Sequence, residues 1–213
     1  MTGSVVSPAL RQRVRDMAVP FARALGRLGL TPNALTVIGF LGTCVAAYAA
    51  ATQAWLIAGV LVLVFGIFDL FDGTLARATG RATKLGAFLD STFDRAGEAI
   101  VYIGIAAGSL AGDYPQDAIL AASAMGASFL VSYTRAKSES LGFTPGTGMA
   151  AIGLAPREVR IAILAIGLVL APQVIGGMQG PAGMSGALGL ITILATITTI
   201  QRILHVRAQS REG

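Results

Sequence analysis

Asp69, Asp72, Asp90 and Asp94 stand within two strongly apolar segments, in the run Asp69-Leu-Phe-Asp72-Gly73-Thr-Leu-Ala76-Arg77 followed by Gly86, Asp90 and Asp94. Ionisable groups at membrane depth are costly and, where they occur, face a cavity or a partner. Spacings of three and four residues put side chains on one helix face. Each pair therefore projects as a unit, and two neighbouring helices would converge four carboxylates. Divalent cations make such a cluster tolerable. Hard oxygen donors without His or Cys favour Mg²⁺ or Mn²⁺ over zinc. Arg77 supplies a planar donor for phosphate oxygens, and Gly73 and Gly86 remove side chains beside the acids. Together these point to phosphoryl transfer, where metal ions neutralise charge on phosphate oxygens and one carboxylate takes the proton of an attacking hydroxyl. Salt bridges to Arg77, Arg81, Lys84 and Arg95 account for one or two of the acids, not for four.

The elements that hold these acids belong to a membrane protein. Of 213 residues, 54% are hydrophobic and 13% charged, and the mean hydropathy is +0.70. That length holds about six spans of ~20 residues with short connections. The expected helices run over 32–52, 54–79, 83–111, 116–140, 156–177 and 181–207, with Thr31-Pro32 a hydroxyl cap followed by proline at the start of the first. Residues 1–30 form a separate segment, in which five arginines alternate with Leu10, Val14, Met17, Phe21, Leu25 and Leu28 as in an amphipathic helix lying on a lipid surface. Residues 31–213 form the membrane domain. All sixteen Lys and Arg lie in the N-terminus, around the second-to-third and fourth-to-fifth connections, or at the C-terminus. The positive-inside rule then puts both termini, and the acids, on the cytoplasmic side of the cell membrane. The formal charge of +5 is accounted for by that distribution, and no nucleic-acid module accompanies it. Cys44, the one cysteine, reads as a small packing residue.

The spacing Asp-x₂-Asp-Gly-x₂-Ala-Arg-x₈-Gly-x₃-Asp-x₃-Asp resembles the signature of the CDP-alcohol phosphotransferase family. Asp69, Asp72, Gly73, Ala76, Arg77, Gly86, Asp90 and Asp94 match every defining position. The resemblance implies an all-α membrane enzyme with six spans and an N-terminal interfacial helix. Such an enzyme moves the phosphatidyl group of CDP-diacylglycerol to a hydroxyl acceptor and releases CMP. It also implies roles. Asp69, Asp72 and Asp90 would be ligands of Mg²⁺ or Mn²⁺. Asp94 would be the general base and would contribute to a second metal site. Gly73, Ala76, Arg77 and Gly86, with Asn33 at the first-span entrance, would line the CDP-lipid pocket.

A second set of cations suggests the acceptor. Arg135, Lys137, Arg157, Arg160 and Arg202 all fall on the cytoplasmic side and together suit a phosphorylated polyol. The runs Ser132-Tyr133-Thr134-Arg135-Ala136-Lys137, Arg157-Glu158-Val159-Arg160 and Gln201-Arg202 are similar to those of the family's phosphatidylinositol phosphate synthases, which implies inositol 1-phosphate. The chain departs from them at Gly97-Glu98 and at Pro156-Arg157-Glu158. Glycerol 3-phosphate is the alternative acceptor, and a divalent-metal transporter is the alternative of another class. Glu98 reads as a carboxylate supporting the metal site or as a partner of Arg95. Gly104 and Gly108 form a small-xxx-small pair, serving either a homodimer or an internal helix contact.

Overall fold

The computed structural model describes residues 13, 17, 19–21, 24–80, 82–143, 149, 152–171 and 181–212, and the side chains of Asp69, Leu70, Asp72 and Glu212 lie outside that description. Among the described residues, six long helices follow in order from Pro32: α1 Pro32–Ala51, α2 Trp55–Ala78, α3 Lys84–Ala111, α4 Pro115–Ser140, α5 Arg157–Leu170 and α6 Ala182–Glu212. No strand occurs among the described residues. Local chemistry sets the starts. Thr31 Oγ1 accepts the Ala34 N–H at 3.2 Å and Pro32 opens α1, while Thr83 Oγ1 accepts the Gly86 N–H at 2.9 Å to cap α3. The stops are equally local: Gly80 and Gly142, with φ of 66° and 78°, take the left-handed conformation just beyond α2 and α4.

Each described helix packs against two others. α1 lies on α2 and α3, α3 also on α4, α4 on α6, α6 on α5, and α5 on α2, closing a ring. Small residues allow the close approaches. A Cβ added at Gly104 or Gly108 would overlap the carbonyl oxygens of Ala47 or Ala50 on α1. The glycine pair is therefore an internal contact with α1, the second of the two uses expected of it. Inside the ring, Ala46, Ala50, Ala58, Ile105, Ala121, Ala124, Leu168 and Leu188 form one buried apolar cluster.

Among the described residues, four helices are long and apolar enough to cross a membrane: Pro32–Ala51, Trp55–Ala78, Pro115–Ser140 and Ala182–Arg211. Their outward faces carry Val37, Leu41 and Val45 on α1, and Ile193, Ile197 and Ile200 on α6, all exposed. Apolar surface on that scale suits lipid rather than water. α3 bears Asp90, Asp94, Arg95 and Glu98 within its first fifteen residues, and α5 has 14 residues. The fifth helix is described to Leu170, and the end expected for it, 172–177, lies outside the described residues. The sixth runs past its expected end at 207 to Glu212. Of the N-terminal segment, residues 24–27 are helical and end at Gly29, φ 87°. Leu25 and Leu30 pack there against Leu35, Phe71 and Leu75. Residues 13, 17 and 19–21 are helical too, with Met17 and Phe21 exposed, and the rest of the expected amphipathic helix lies outside the described residues.

Short connections make successive helices along α1–α4 run in opposite directions. The start of α1, end of α2, start of α3 and end of α4 therefore share one end of the bundle, and contacts bring the start of α5 and end of α6 to the same end.

Candidate active site

At that end a cleft of about 180 Å³ opens between Pro32, Asn33 and Thr36 of α1, Gly73, Ala76 and Arg77 of α2, and Gly86, Ala87 and Asp90 of α3, with Ala82 and Thr83 at its rim. All five residues expected around a CDP-lipid (Asn33, Gly73, Ala76, Arg77 and Gly86) line it together with Asp90. Gly86 is bare for a visible reason. A Cβ there would lie 3.1 Å from Thr83 Oγ1 and 3.2 Å from Asn33 Oδ1, so glycine lets the asparagine lie across the first turn of α3.

The cleft also corrects an expectation. α2 and α3, although joined by only five residues, do not pack side by side along their lengths; α1 is the helix that touches both. Their acid-bearing ends face one another across the cleft. Asp90 and Asp94 are one turn apart on α3, and Asp69 and Asp72 are helical residues of α2 whose side chains lie outside the description. Among the described side chains no three His, Cys, Asp or Glu residues converge. The donor set, aspartate carboxylates without His or Cys and beside the Arg77 guanidinium, fits a hard divalent cation.

Asp94 is held by arginines from two helices. Arg157 Nη1 on α5 lies 3.0 Å from its Oδ1, and Arg95 Nη2 lies 3.5 Å from its Oδ2. One turn further along α3, buried Glu98 accepts Arg160 Nε on Oε1 and Arg160 Nη2 on Oε2, both at 2.9 Å. Arg160 is 1% exposed and also donates Nη1 to the Ala155 carbonyl at 3.0 Å. Glu98 thus pairs chiefly with Arg160, and only at 3.9 Å with Arg95.

The remaining cations divide by environment. Arg95 Nη1 donates to Ser132 Oγ of α4, and Arg202, 4% exposed, donates to the carbonyls of Val131 and Ile152. Arg135 and Lys137 are exposed one to two turns beyond Val131, and Arg135 Nε pairs with Glu139 at 2.9 Å. Thr198 Oγ1, on α6, accepts the N–H groups of both Leu154 and Ala155 at 3.0 Å, tying down the approach to α5. Of the five arginines and lysines expected at an acceptor phosphate, two are therefore exposed, two are buried on protein partners, and Arg157 sits on Asp94.

The family model for CDP-alcohol phosphatidyltransferase matches residues 29–201. The chain belongs to that family. Relatives carry the same likeness. The archaetidylinositol phosphate synthase of Pyrococcus horikoshii is 39% identical over 167 residues, 78% of this chain and 84% of that protein. Two crystal structures of Mycobacterium tuberculosis phosphatidylinositol phosphate synthase also match. The one with CDP-DAG bound has a TM-score of 0.76 and 27% identity, covering 90% of this chain and 94% of that chain. The one in complex with manganese and citrate has a TM-score of 0.76 and 28% identity, covering 89% and 88%.

Membership of the CDP-alcohol phosphatidyltransferase family makes the chain an enzyme and sets aside the transporter alternative. It also shows where reading the sequence of such an enzyme stops short. Thr36 and Thr83 line the cleft and were missed. Thr36 lies one turn after Asn33, and Thr83 is the cap residue three before Gly86, so helical spacing from the motif glycine and the entrance asparagine was the available signal.

Proposed function

We propose that the chain transfers the phosphatidyl group of a CDP-linked lipid to inositol 1-phosphate, releasing CMP, at the cytoplasmic face of the cell membrane. The single observation that carries this is the cleft. It gathers Asn33, Gly73, Ala76, Arg77, Gly86 and Asp90 at one end of the bundle, with Asp94 one turn deeper and the exposed cations of α4 at the same end. Family membership and the names of the relatives support the same chemistry.

In this reading Asn33, Gly73, Ala76, Arg77 and Gly86 hold the CDP moiety, Arg77 by its guanidinium on a phosphate oxygen. Asp69, Asp72 and Asp90 hold one Mg²⁺ or Mn²⁺, with Asp94 adding to a second site. Bound there, the ions would offset negative charge on the diphosphate and on the departing CMP. A manganese complex of the Mycobacterium tuberculosis neighbour supports the choice of ion. The acceptor hydroxyl oxygen forms its bond to the lipid-bearing phosphorus as the phosphorus–oxygen bond to CMP breaks, and the hydroxyl proton passes to an Asp94 carboxylate oxygen. Arg157 and Arg95 orient that carboxylate. Arg135 and Lys137 bind the acceptor's phosphate, with Arg202 behind them between α4 and α6.

All six helices act as spans, with residues 1–30 along the inner surface. The basic residues of the helices, Arg77 through Arg211, gather at the site end of the bundle and support that orientation. The archaetidyl relative supports a second reading of the donor alone, in which the group transferred is archaetidyl.

The test offers purified enzyme CDP-diacylglycerol or CDP-archaeol with Mg²⁺ or Mn²⁺, and inositol 1-phosphate, glycerol 3-phosphate, serine or free inositol, each separately. CMP release with inositol 1-phosphate at a kcat/KM well above the others is the expected result. Preference for glycerol 3-phosphate would overturn the acceptor, and no metal-dependent CMP release with any acceptor would overturn the reaction.

A further inference from the structure

The proposed chemistry has no use for Glu98, yet this carboxylate is buried one turn beyond Asp94 in a stretch that becomes apolar immediately afterwards, at Val101, Tyr102 and Ile105. Buried ion pairs are a weak source of stability, since apolar residues of similar volume serve as well or better. A pair kept at this position calls for another role.

Its geometry supplies one. Two parallel bonds from Arg160, each of 2.9 Å, fix the guanidinium plane on the Glu98 carboxylate. The third bond, from Arg160 Nη1 to the Ala155 carbonyl at 3.0 Å, ties the same group to the backbone just ahead of α5. The first turn of α5 is thereby fixed against α3 in both rotation and translation. Arg157 lies one turn before Arg160 on the same face of α5, and from there it reaches Asp94 at 3.0 Å. Arg95 completes the arrangement from α3, lying between the two acids at 3.5 Å from Asp94 and 3.9 Å from Glu98. A cavity of about 30 Å³ adjoins Glu98, Arg157 and Arg160, so close apolar packing does not by itself hold these side chains in place.

We propose that Glu98, acting through Arg160, is a positioning residue for the transfer reaction: the pair sets the first turn of α5 so that Arg157 meets Asp94. This rests on the reading of Asp94 as proton acceptor. It assigns Arg160 to the carboxylate of Glu98 rather than to the acceptor's phosphate.

The test is the double variant Glu98→Leu/Arg160→Met, which removes both charges together and leaves no buried ion without its partner. The expected outcome is a folded enzyme with wild-type thermal stability or better, a kcat lower by about ten- to a hundred-fold, and a KM for each substrate within about twofold of wild type. Adding Arg157→Ala to that background should lower kcat no further, although Arg157→Ala alone does. Glu98→Gln, which keeps the shape and removes the charge, is read by the same split of kcat against KM, so poor accumulation of the double variant leaves the question answered. Wild-type kcat in the double variant would overturn the inference, as would a raised acceptor KM with kcat preserved. Asp94→Asn is the separating control. If it remains active, the reading of the base has failed; if it is inactive while the double variant is fully active, only the positioning role has failed.

Discussion

Arg157 of α5 and Asp94 of α3 meet at 3.0 Å, guanidinium to carboxylate, although the helices that carry them are not sequence neighbours. The contact holds one carboxylate oxygen of the proposed base, and Arg95 lies 3.5 Å from the other. Arg157→Ala should lower kcat by about ten- to a hundred-fold with little change in the KM for the CDP-lipid, measured as CMP release. Arg157→Lys keeps the charge but loses the planar fork and should recover only part of the loss. A rise in acceptor KM with kcat intact would instead make Arg157 a phosphate ligand.

Asp94→Asn retains the shape and both flanking arginines' neighbour but cannot take a proton. Turnover should fall by about a hundred- to ten-thousand-fold, the range for removing a general base. Binding of the CDP-lipid, followed by its thermal stabilisation of the purified protein, should survive. Near-normal turnover would exclude Asp94 from proton transfer.

Residues close in sequence made part of this site legible in advance. The positions from Asn33 to Asp90 that line the cleft belong to one helix entrance and one continuous motif, and helical spacing alone puts Asp90 and Asp94 on a common face. The helix starts were legible for the same reason, because Thr31-Pro32 and Thr83 act on their own first turns. What the sequence hid was long-range. Nothing local says that α1 lies between α2 and α3, or that Arg160 pairs with a glutamate on another helix rather than with a ligand. Arg157 and Arg160, one turn apart, look equivalent as text, and the packing of α5 gives them different acids. The end expected for the fifth helix lies outside the described residues, which carry its ladder to Leu170.

Gly86→Ala should separate stability from donor binding. Alanine in place of glycine favours a helix by about 0.5–1 kcal/mol, yet the new Cβ would sit 3.2 Å from Asn33 Oδ1 and 3.1 Å from the capping hydroxyl of Thr83. Thermal stability in detergent should hold or rise slightly while the KM for the CDP-lipid increases several-fold. An unchanged KM would mean that Asn33 does not touch the donor.

Thr198→Val removes the one hydroxyl that accepts both the Leu154 and Ala155 N–H groups. Gly153, with φ of 119°, has no side chain to occupy the space that Thr198 fills. Two backbone donors would then lose their partner at the entry to α5, at a cost of about 1–3 kcal/mol each. A lower unfolding temperature is expected, together with reduced kcat, since the same approach leads into Arg157. Unaltered stability would show that water replaces the hydroxyl.

Arg135 and Lys137 are the exposed cations of α4, one to two turns past the Val131 carbonyl that Arg202 holds. Arg135 pairs with Glu139, an exposed partner in the same helix at 2.9 Å. Such a pair is worth about 0.3–0.5 kcal/mol, so an incoming phosphate, with its greater charge, displaces it readily. Arg135→Ala and Lys137→Ala should each raise the acceptor KM by about tenfold, the effect of losing one charge-assisted bond of ~1.4 kcal/mol or more, with the donor KM unchanged. Arg202→Met acts differently, because two backbone carbonyls lose their donor and the connection before α5 loosens, so stability falls along with acceptor affinity. Steady-state kinetics with each substrate varied in turn distinguishes these cases. If Arg135→Ala and Lys137→Ala moved both Michaelis constants equally, the two residues would be contacts to lipid headgroups and the acceptor's phosphate would bind elsewhere.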